Sequence, residues 1–145
     1  MMRRGRRAPD ERGSASIEAV IGVSAFVLLG SLVIAGGRVA IAQASVESAA
    51  AEAARSASIA RTQMEADSTA ASGAAASLAN QGLRCGSSSV VVDTSGFAAP
   101  PGAPALVSAT VSCAVDLSDV ALPGVPGALT ITRTMSSPID TYRER

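Results

Sequence analysis

The sequence predicts an α+β protein in which a long N-terminal transmembrane helix continues into an alanine-rich stalk and a small antiparallel β-sheet follows. Three observations predict this order. Residues 19–37 carry no charge, residues 39–80 are alanine-rich and free of proline, and residues 88–135 alternate apolar with small polar side chains between turn sequences. We divide the 145 residues into a basic leader (1–13), a helical part (14–82), a β head (83–136) and a flexible tail (137–145).

The first element is a membrane helix. The uncharged run from Ala19 to Gly37 would be about 28 Å long as a helix. This length is close to the hydrocarbon core of a bilayer, which is about 30 Å thick. Five arginines lie within the first twelve residues, and basic residues before a span keep that end in the cytoplasm. We therefore predict a single-pass cell membrane protein with a cytoplasmic N-terminus and an extracytoplasmic C-terminal part.

A cleaved secretory signal is the alternative for the same segment. The sequence "AIAQA" offers a small-x-small cleavage site at Ala40–Ala42, and cleavage after Ala42 would release a secreted binding module. However, the apolar run is longer than the roughly 7–15 residues of a usual signal core. The helical pattern also continues past Ala42, where a cleavage site should be extended. Both features favour a retained anchor.

The second element is an alanine-rich helix from Val39 to about Asn80. Alanine is the best helix former because it loses no side-chain rotamer freedom. Apolar residues recur at spacings of three and four, which places them on one helical face. These residues, the alanine stripe, are Ala42, Val46, Ala49, Ala53, Ala57, Ala60 and Met64. The alanine stripe is either a narrow apolar stripe on a solvated helix or a surface that packs closely against neighbouring helices.

Three short strands are predicted after Gly82, where the helix should stop. They are Ser88–Asp93, Ala105–Leu117 and Ala128–Met135. The segments between them, "GFAAPPGAP" and "LPGVPG", are typical of turns. A three-stranded sheet is marginal alone, so we expect it to pack on the end of the helical stalk.

The titratable residues argue against catalysis. The chain has no histidine, which is the commonest general base and metal ligand, and its serines have no candidate base to activate them. We therefore expect no enzymatic activity, no metal site and no cofactor. We expect no nucleic-acid partner either, because a short basic segment beside a membrane span is better explained by membrane topology.

The two cysteines, Cys85 and Cys113, fall on the extracytoplasmic side of the predicted membrane. An oxidising compartment permits a disulfide between them, which would join the helix-to-sheet junction to the second strand. Closing a loop of this length contributes about 3–4 kcal/mol to stability. Two buried free thiols are the alternative.

The stretch "RGSASIEAVIGVSAFVLLGSLVIAGGRVAIAQASVESAAAEAAR" resembles the TadE-like segment of bacterial minor pseudopilins, which belong to tight-adherence (Flp-type) pilus systems. The shared pattern is Gly13, Glu18 five residues later, the apolar run and then "AAAEAAR" at 49–55. The resemblance implies a structural component of a pilus or secretion system on the pilin plan of a helical stalk and a small β head. It also implies the lipid bilayer and other pilin-like or Tad-system subunits as partners, and incorporation into a pilus.

The resemblance implies a processing site as well. Prepilin-like proteins are cut on the cytoplasmic side, after a glycine, by a membrane aspartyl peptidase. This places the cut between Gly13 and Ser14 and makes a prepilin peptidase a partner. Ala19 follows Glu18 where processed pilins usually carry an aromatic residue. An uncleaved membrane subunit is therefore the alternative.

Glu18 would be the fifth residue of the cleaved chain. A lone carboxylate in hydrocarbon is costly. When subunits stack, Glu18 could face the freed α-amine of a neighbour, and pairing these two poorly solvated charges would set the axial register. The alternative is an interfacial residue whose carboxylate reaches back to water.

Overall fold

The computed structural model describes residues 12–100, 102–118 and 127–140. The predictions on leader residues 1–11 and tail residues 141–145 lie outside these ranges. The elements in chain order are α1 (Arg12–Ser58), α2 (Gln63–Asn80), β1 (Cys85–Asp93), a 3-10 helix (Ser95–Ala98), β2 (Leu106–Asp116) and β3 (Ala128–Pro138). The predicted α+β class, with a long apolar first helix and a three-stranded antiparallel sheet, is confirmed.

Helix α1 is an unbroken helix of 47 residues, which makes it about 70 Å long. From Ser16 to Ile41 its side chains are almost all exposed, and the buried positions begin at Ala42. We call the described residues before Ala42 the apolar rod. The described residues from Ala42 onward are called the packed head, because they enclose the buried core of the molecule.

The chain turns back at residues 59–62, so the prediction of one helix up to Asn80 is wrong. Thr62 caps α2, since its Oγ1 accepts a hydrogen bond from the N–H of Glu65 at 3.2 Å. The Glu65 carboxylate in turn accepts the backbone N–H of Arg61 at 3.0 Å. This reciprocal arrangement resembles a capping box, which starts a new helix even within a segment of high helix propensity.

Helices α1 and α2 form a hairpin whose two arms approach closely. The Thr69 Oγ1, which donates to the carbonyl of Glu65 at 2.8 Å, lies 3.3 Å from the carbonyl oxygen of Ser56 across the hairpin. A Cβ atom added to Gly73 would lie 2.7 Å from the Ser56 Oγ. The buried residues of α2 are small apart from the last: Ala66, Ala70, Ala74 and Leu78. Small side chains on both helices thus permit the close contact.

The end of α2 is a Schellman motif at Gly82. The φ angle of Gly82 is +68°, a conformation that favours glycine. Its N–H donates to the carbonyl of Ala79 at 3.0 Å, and the N–H of Leu83 donates to the carbonyl of Leu78 at 3.1 Å. The predicted stop at Gly82 is therefore where the helix ends.

The alanine stripe packs within its own chain. Every member from Ala42 to Ala60 is buried, whereas Met64 is 83% exposed because the helix breaks before it. Helix α2 and strands β2 and β3 contact α1 and cover the stripe. From Ala42 to Ala60 the stripe is therefore neither solvated nor open to a helix of another subunit.

The sheet lies along the side of α1 and α2, not on the end of the stalk as predicted. Its order is β1-β2-β3, and both pairs are antiparallel. The helix-facing side chains of the central strand are all buried: Val107, Ala109, Val111 and Cys113. A sheet with this apolar face needs a long covering surface, and the hairpin supplies one where a helix end would not.

Strand β3 and the residues after it extend the packed head beyond the predicted boundary at 136. The Ile139 side chain is 5% exposed, and its N–H donates to the carbonyl of Ala105 at 2.9 Å. The Ser137 hydroxyl lies 3.1 Å from that of Ser58. Residues 137–140 are thus part of the packed head, not of a flexible tail, because Ile139 buries its side chain there.

The contact between Ser137 and Ser58 also shows in which direction the strands run. Ser58 ends α1 at the end of the packed head farthest from the apolar rod, so β3 finishes at that far end. Since the sheet is antiparallel, β1 and β3 run away from the apolar rod and β2 runs towards it.

Candidate functional site

The apolar rod is the first candidate functional feature. Its large apolar side chains are exposed because no other part of the described chain packs on them: Ile17, Val20, Ile21, Val23, Phe26, Val27, Leu28, Leu29, Leu32, Val33, Ile34 and Ile41. Among the described residues, α1 is the one helix long and apolar enough to cross a membrane. A surface this apolar is unfavourable in water and suits the hydrocarbon of a bilayer.

Two serines lie within the uncharged run Ala19–Gly37 of the apolar rod, and both satisfy their hydroxyl donors locally. Ser24 donates to the carbonyl of Val20 at 2.8 Å, and Ser31 donates to the carbonyl of Val27 at 2.9 Å. An unsatisfied hydroxyl would be costly in hydrocarbon. These bonds, each to the residue four positions earlier, let both serines lie at membrane depth at low cost.

Glu18 is the only acid of the apolar rod and lies near its start. Its side chain is exposed beside a shallow depression formed with Ile17, Ile21 and Gly22. Within the described part of the chain, Glu18 makes no hydrogen bond or ion pair. A single subunit therefore leaves the carboxylate open to an external partner.

The four glycines of the apolar rod that follow Glu18 share its helical side. At about 100° per residue, Gly22, Gly30, Gly36 and Gly37 fall within about 120° of arc, and Glu18 lies at its edge. No atom lies within 4 Å of a Cβ built at any of these glycines. Larger apolar side chains, including the exposed Phe26, share this arc with the glycines, so close approach of another membrane helix is limited to the glycine positions.

Gly13 and Ser14, the predicted processing residues, lie in the first turn of α1. The structure thus places them on the same helix as Glu18, one turn before it. Peptide-bond cleavage there remains a prediction.

The predicted disulfide between Cys85 and Cys113 is present, with Cα atoms 5.3 Å apart. It joins the start of β1 to the helix-facing side of β2, where Cys113 is fully buried. A register irregularity in β1 between Cys85 and Ser87 accompanies it. The bond therefore fastens an edge strand to the central strand.

Hydrogen bonds stabilise two acidic residues at strand ends in their charged form. The backbone N–H of Ser95 donates to Asp93 at 3.0 Å, and that of Ser118 donates to Asp116 at 2.8 Å. These backbone bonds, helped by the serine side chains, lower the pKa of both carboxyl groups below the ordinary value. Their stabilising effect is present above the ordinary carboxyl pKa and is lost as the pH falls through the lowered values.

The solvent face of the sheet carries paired hydroxyl groups that our sequence analysis did not single out. Three cross-strand pairs connect β2 and β3 at 2.8–2.9 Å: Ser108–Ser136, Thr110–Thr134 and Ser112–Thr132. The signal was available, because both strands carry Ser or Thr at alternate positions. The outer face of the sheet is therefore hydroxyl-rich.

A comparison with protein families finds one described as "TadE-like protein", which matches residues 13–55. No curated protein and no solved structure matches the chain. The match begins at the predicted processing residue and ends three residues before the end of α1. It thus covers the apolar rod and part of the alanine stripe, and it leaves α2 and the sheet outside. The resemblance seen in the sequence is confirmed, because residues 13–55 of this chain match the TadE-like family.

Proposed function

We propose that the protein is a structural, non-enzymatic minor pseudopilin-like component of a tight-adherence-type pilus or secretion system. The TadE-like match indicates a Tad pilus-related component with other Tad-system subunits as partners. The observation that carries the finer proposal is the exposed apolar rod with a single carboxylate, Glu18, near its start. The absence of histidine from the sequence supports a role in assembly instead of catalysis.

In this proposal the apolar rod anchors the subunit and the packed head lies outside the membrane. The rod buries its exposed apolar side chains in lipid while the subunit waits in the bilayer. During assembly, its glycine side meets the rods of sister subunits, so protein contacts replace lipid contacts. The alanine stripe plays no part in this step because the packed head already covers it.

Processing would prepare the rod for assembly. Cleavage between Gly13 and Ser14 by a prepilin peptidase removes five arginines that hold the N-terminus at the cytoplasmic face. It also creates a new α-amine four residues before Glu18. The amine of one subunit and the Glu18 carboxylate of its neighbour then pair in a poorly solvated environment and set the axial register.

We expect Glu18→Ala to impair assembly while leaving membrane insertion intact. Removing one partner of a buried ion pair costs about 3–5 kcal/mol, so association should weaken by about a hundredfold or more. Insertion should survive because alanine lengthens the uncharged run. The measurement is recovery of partner subunits with the variant from solubilised membranes, together with its carbonate-resistant membrane fraction.

Glu47→Ala is the matched control, because Glu47 is an exposed acid on the same helix beyond the apolar rod. It should recover partner subunits at the wild-type level. If Glu18→Ala also recovers them at that level, Glu18 has no pairing role.

A further inference from the structure

We propose that β3 of one copy pairs in parallel with β1 of the next copy, so that heads anchored in one membrane join their sheets edge to edge. The pairing rests on the proposed anchoring of the apolar rod. It adds a contact between heads to the contact between rods, and it identifies the partner of this surface as a second copy of the chain.

Both outer edges of the sheet are open. In an edge strand, every second residue points its N–H and C=O away from the neighbouring strand. Apart from the hydrogen bonds that pair the strands with β2, the described residues make one hydrogen bond to the backbone of residues 86–92 or 129–137. In this bond the Arg133 guanidinium donates to the carbonyl of Thr132 at 3.0 Å. Such edges pair readily with another strand. Strand β3 offers eleven residues in regular register with β2.

Strand direction determines which edges can meet. Strands β1 and β3 both run away from the apolar rod, so in anchored copies both run away from the membrane. Joining β3 to β1 of the next copy keeps every copy upright and keeps all hydroxyl-rich faces on one side. Joining two β3 edges would either invert one copy relative to the membrane or place its helices on its neighbour's hydroxyl-rich side.

The register follows from a shared membrane depth. Val91, Thr110 and Thr134 form one row across the sheet of a single copy. Copies at equal depth continue this row, which sets Thr134 beside Val91 of the next copy. The facing pairs are then Thr132 with Ser89, Thr134 with Val91 and Ser136 with Asp93.

These facing side chains suit each other. Ser89, Val91, Thr132 and Thr134 are small or β-branched and uncharged, and all are exposed. The hydroxyl pair between Ser112 and Thr132 gains a third hydroxyl from the next copy's Ser89. At the far end, the Ser136 hydroxyl can donate to the Asp93 carboxylate. Cross-strand pairs of these types stabilise sheets.

Disulfide cross-linking of the full-length chain in its native membranes tests the pairing. Val91→Cys and Thr134→Cys are made as separate single variants and expressed together. After oxidation, we expect a mixed dimer that contains one chain of each variant. This mixed dimer should be at least about tenfold more abundant than the dimers formed by either variant with itself. A tenfold excess corresponds to a difference of about 1.4 kcal/mol in association free energy. The proposed pairing would be overturned if the mixed dimer were no more abundant than the dimers of a single variant. It would also be overturned if the dimer of two Thr134→Cys chains were dominant.

The double variant Val91→Cys with Thr134→Cys provides a second readout. Within one chain these two positions are separated by two strand spacings, or about 9–10 Å. A disulfide spans at most roughly 7 Å between Cα atoms, so the two cysteines of one chain do not reach each other. Head-to-tail pairing should therefore give a ladder of dimers, trimers and larger products. Products that stop at the dimer contradict it.

A charge variant tests the same junction without new cysteines at the edge. The variant carries both Ser89→Lys and Thr132→Lys, so that a lysine of one copy lies opposite a lysine of the next copy across the junction. Repulsion between these like charges should reduce the association of heads by about tenfold or more. Thr110→Lys is the control, since it adds a lysine to the same face on the central strand. Equal association of both variants would contradict edge pairing.

The membrane fraction of each variant separates this inference from the proposed function. A protein that stays in the membrane but gives no mixed dimer overturns the edge pairing and leaves the anchor standing. A wild-type protein that leaves the membrane overturns both.

Discussion

Replacing Cys85 and Cys113 together with alanine should lower the free energy of unfolding of the packed head by about 3–4 kcal/mol. The two cysteines are 28 residues apart, and releasing a loop of this length restores that much chain entropy to the unfolded state. Domains are stable by only about 5–15 kcal/mol, so the variant should be close to unfolding at physiological temperature. Urea denaturation in detergent, followed by circular dichroism, measures the change.

The structure explains why the packed head depends on this bond. Strand β1 is an edge strand with exposed small side chains at Ser87, Ser88 and Ser89, and its apolar Val90 and Val92 are only half-buried. Its contacts with α2 are sparse compared with those of β2 and β3 with α1. The disulfide therefore compensates for the small apolar area that β1 buries.

Reduction of the wild-type protein is the control for this prediction, because it breaks the same bond without changing side-chain volume elsewhere. Reduced wild type and the double alanine variant should unfold at similar urea concentrations, both well below oxidised wild type. If oxidised wild type and the variant share one midpoint, the disulfide does not stabilise the packed head.

Replacing Leu28 with arginine should remove most of the protein from the membrane. Leu28 is the central residue of the uncharged run Ala19–Gly37. An arginine at a helix centre costs about 2.5–3.5 kcal/mol on the insertion scale, and the leucine it replaces contributes about −0.5 kcal/mol. The ten large apolar residues of the run contribute about −3 to −6 kcal/mol together, so one arginine offsets much of the driving force.

The measurement for Leu28→Arg is the fraction of protein that resists carbonate extraction from membranes. Ala71→Arg is the control, because Ala71 is exposed on α2 in the packed head. Ala71→Arg should stay in the membrane like wild type. Retention of Leu28→Arg at the wild-type level would show that the apolar rod does not span the bilayer.

Much of the local structure could be predicted because its signals are local. The apolar rod follows from an uncharged run, and the three strands follow from an alternation of apolar and polar residues, with boundaries within a few residues. The disulfide was expected from the oxidising compartment predicted for the residues beyond the membrane span. These features depend on a residue and its near neighbours, so one sequence suffices.

The helical hairpin was missed because alanine-rich sequence favours helix on both sides of a break. The available signal was the threonine at position 62 followed three residues later by Glu65, the spacing of a helix cap. Gly73 lies inside α2 without breaking it and admits the close approach of Ser56 from α1. The hairpin is closed by contacts between distant segments of the chain, which periodicity within one helix does not reveal.

The position of Glu18 could be predicted from the sequence, but its binding partner could not be identified from one chain. Glu18 lies where the family pattern puts it, and its side chain meets no partner among the described residues. Its proposed partner belongs to another subunit, so neither the sequence nor a single fold contains the pair. The alanine stripe shows the opposite case, since its partner proved to be the same chain.

The mass of the mature chain, measured on protein isolated from cells, tests the anchoring of the packed head most directly. Ala42 is buried at 2% exposure in the middle of an unbroken helix, which disfavours cleavage after it. We predict membrane-bound protein that starts at Ser14; a start at Met1 or Met2 would keep the anchor and remove only the processing step. A soluble chain that starts at Gln43 would contradict the account.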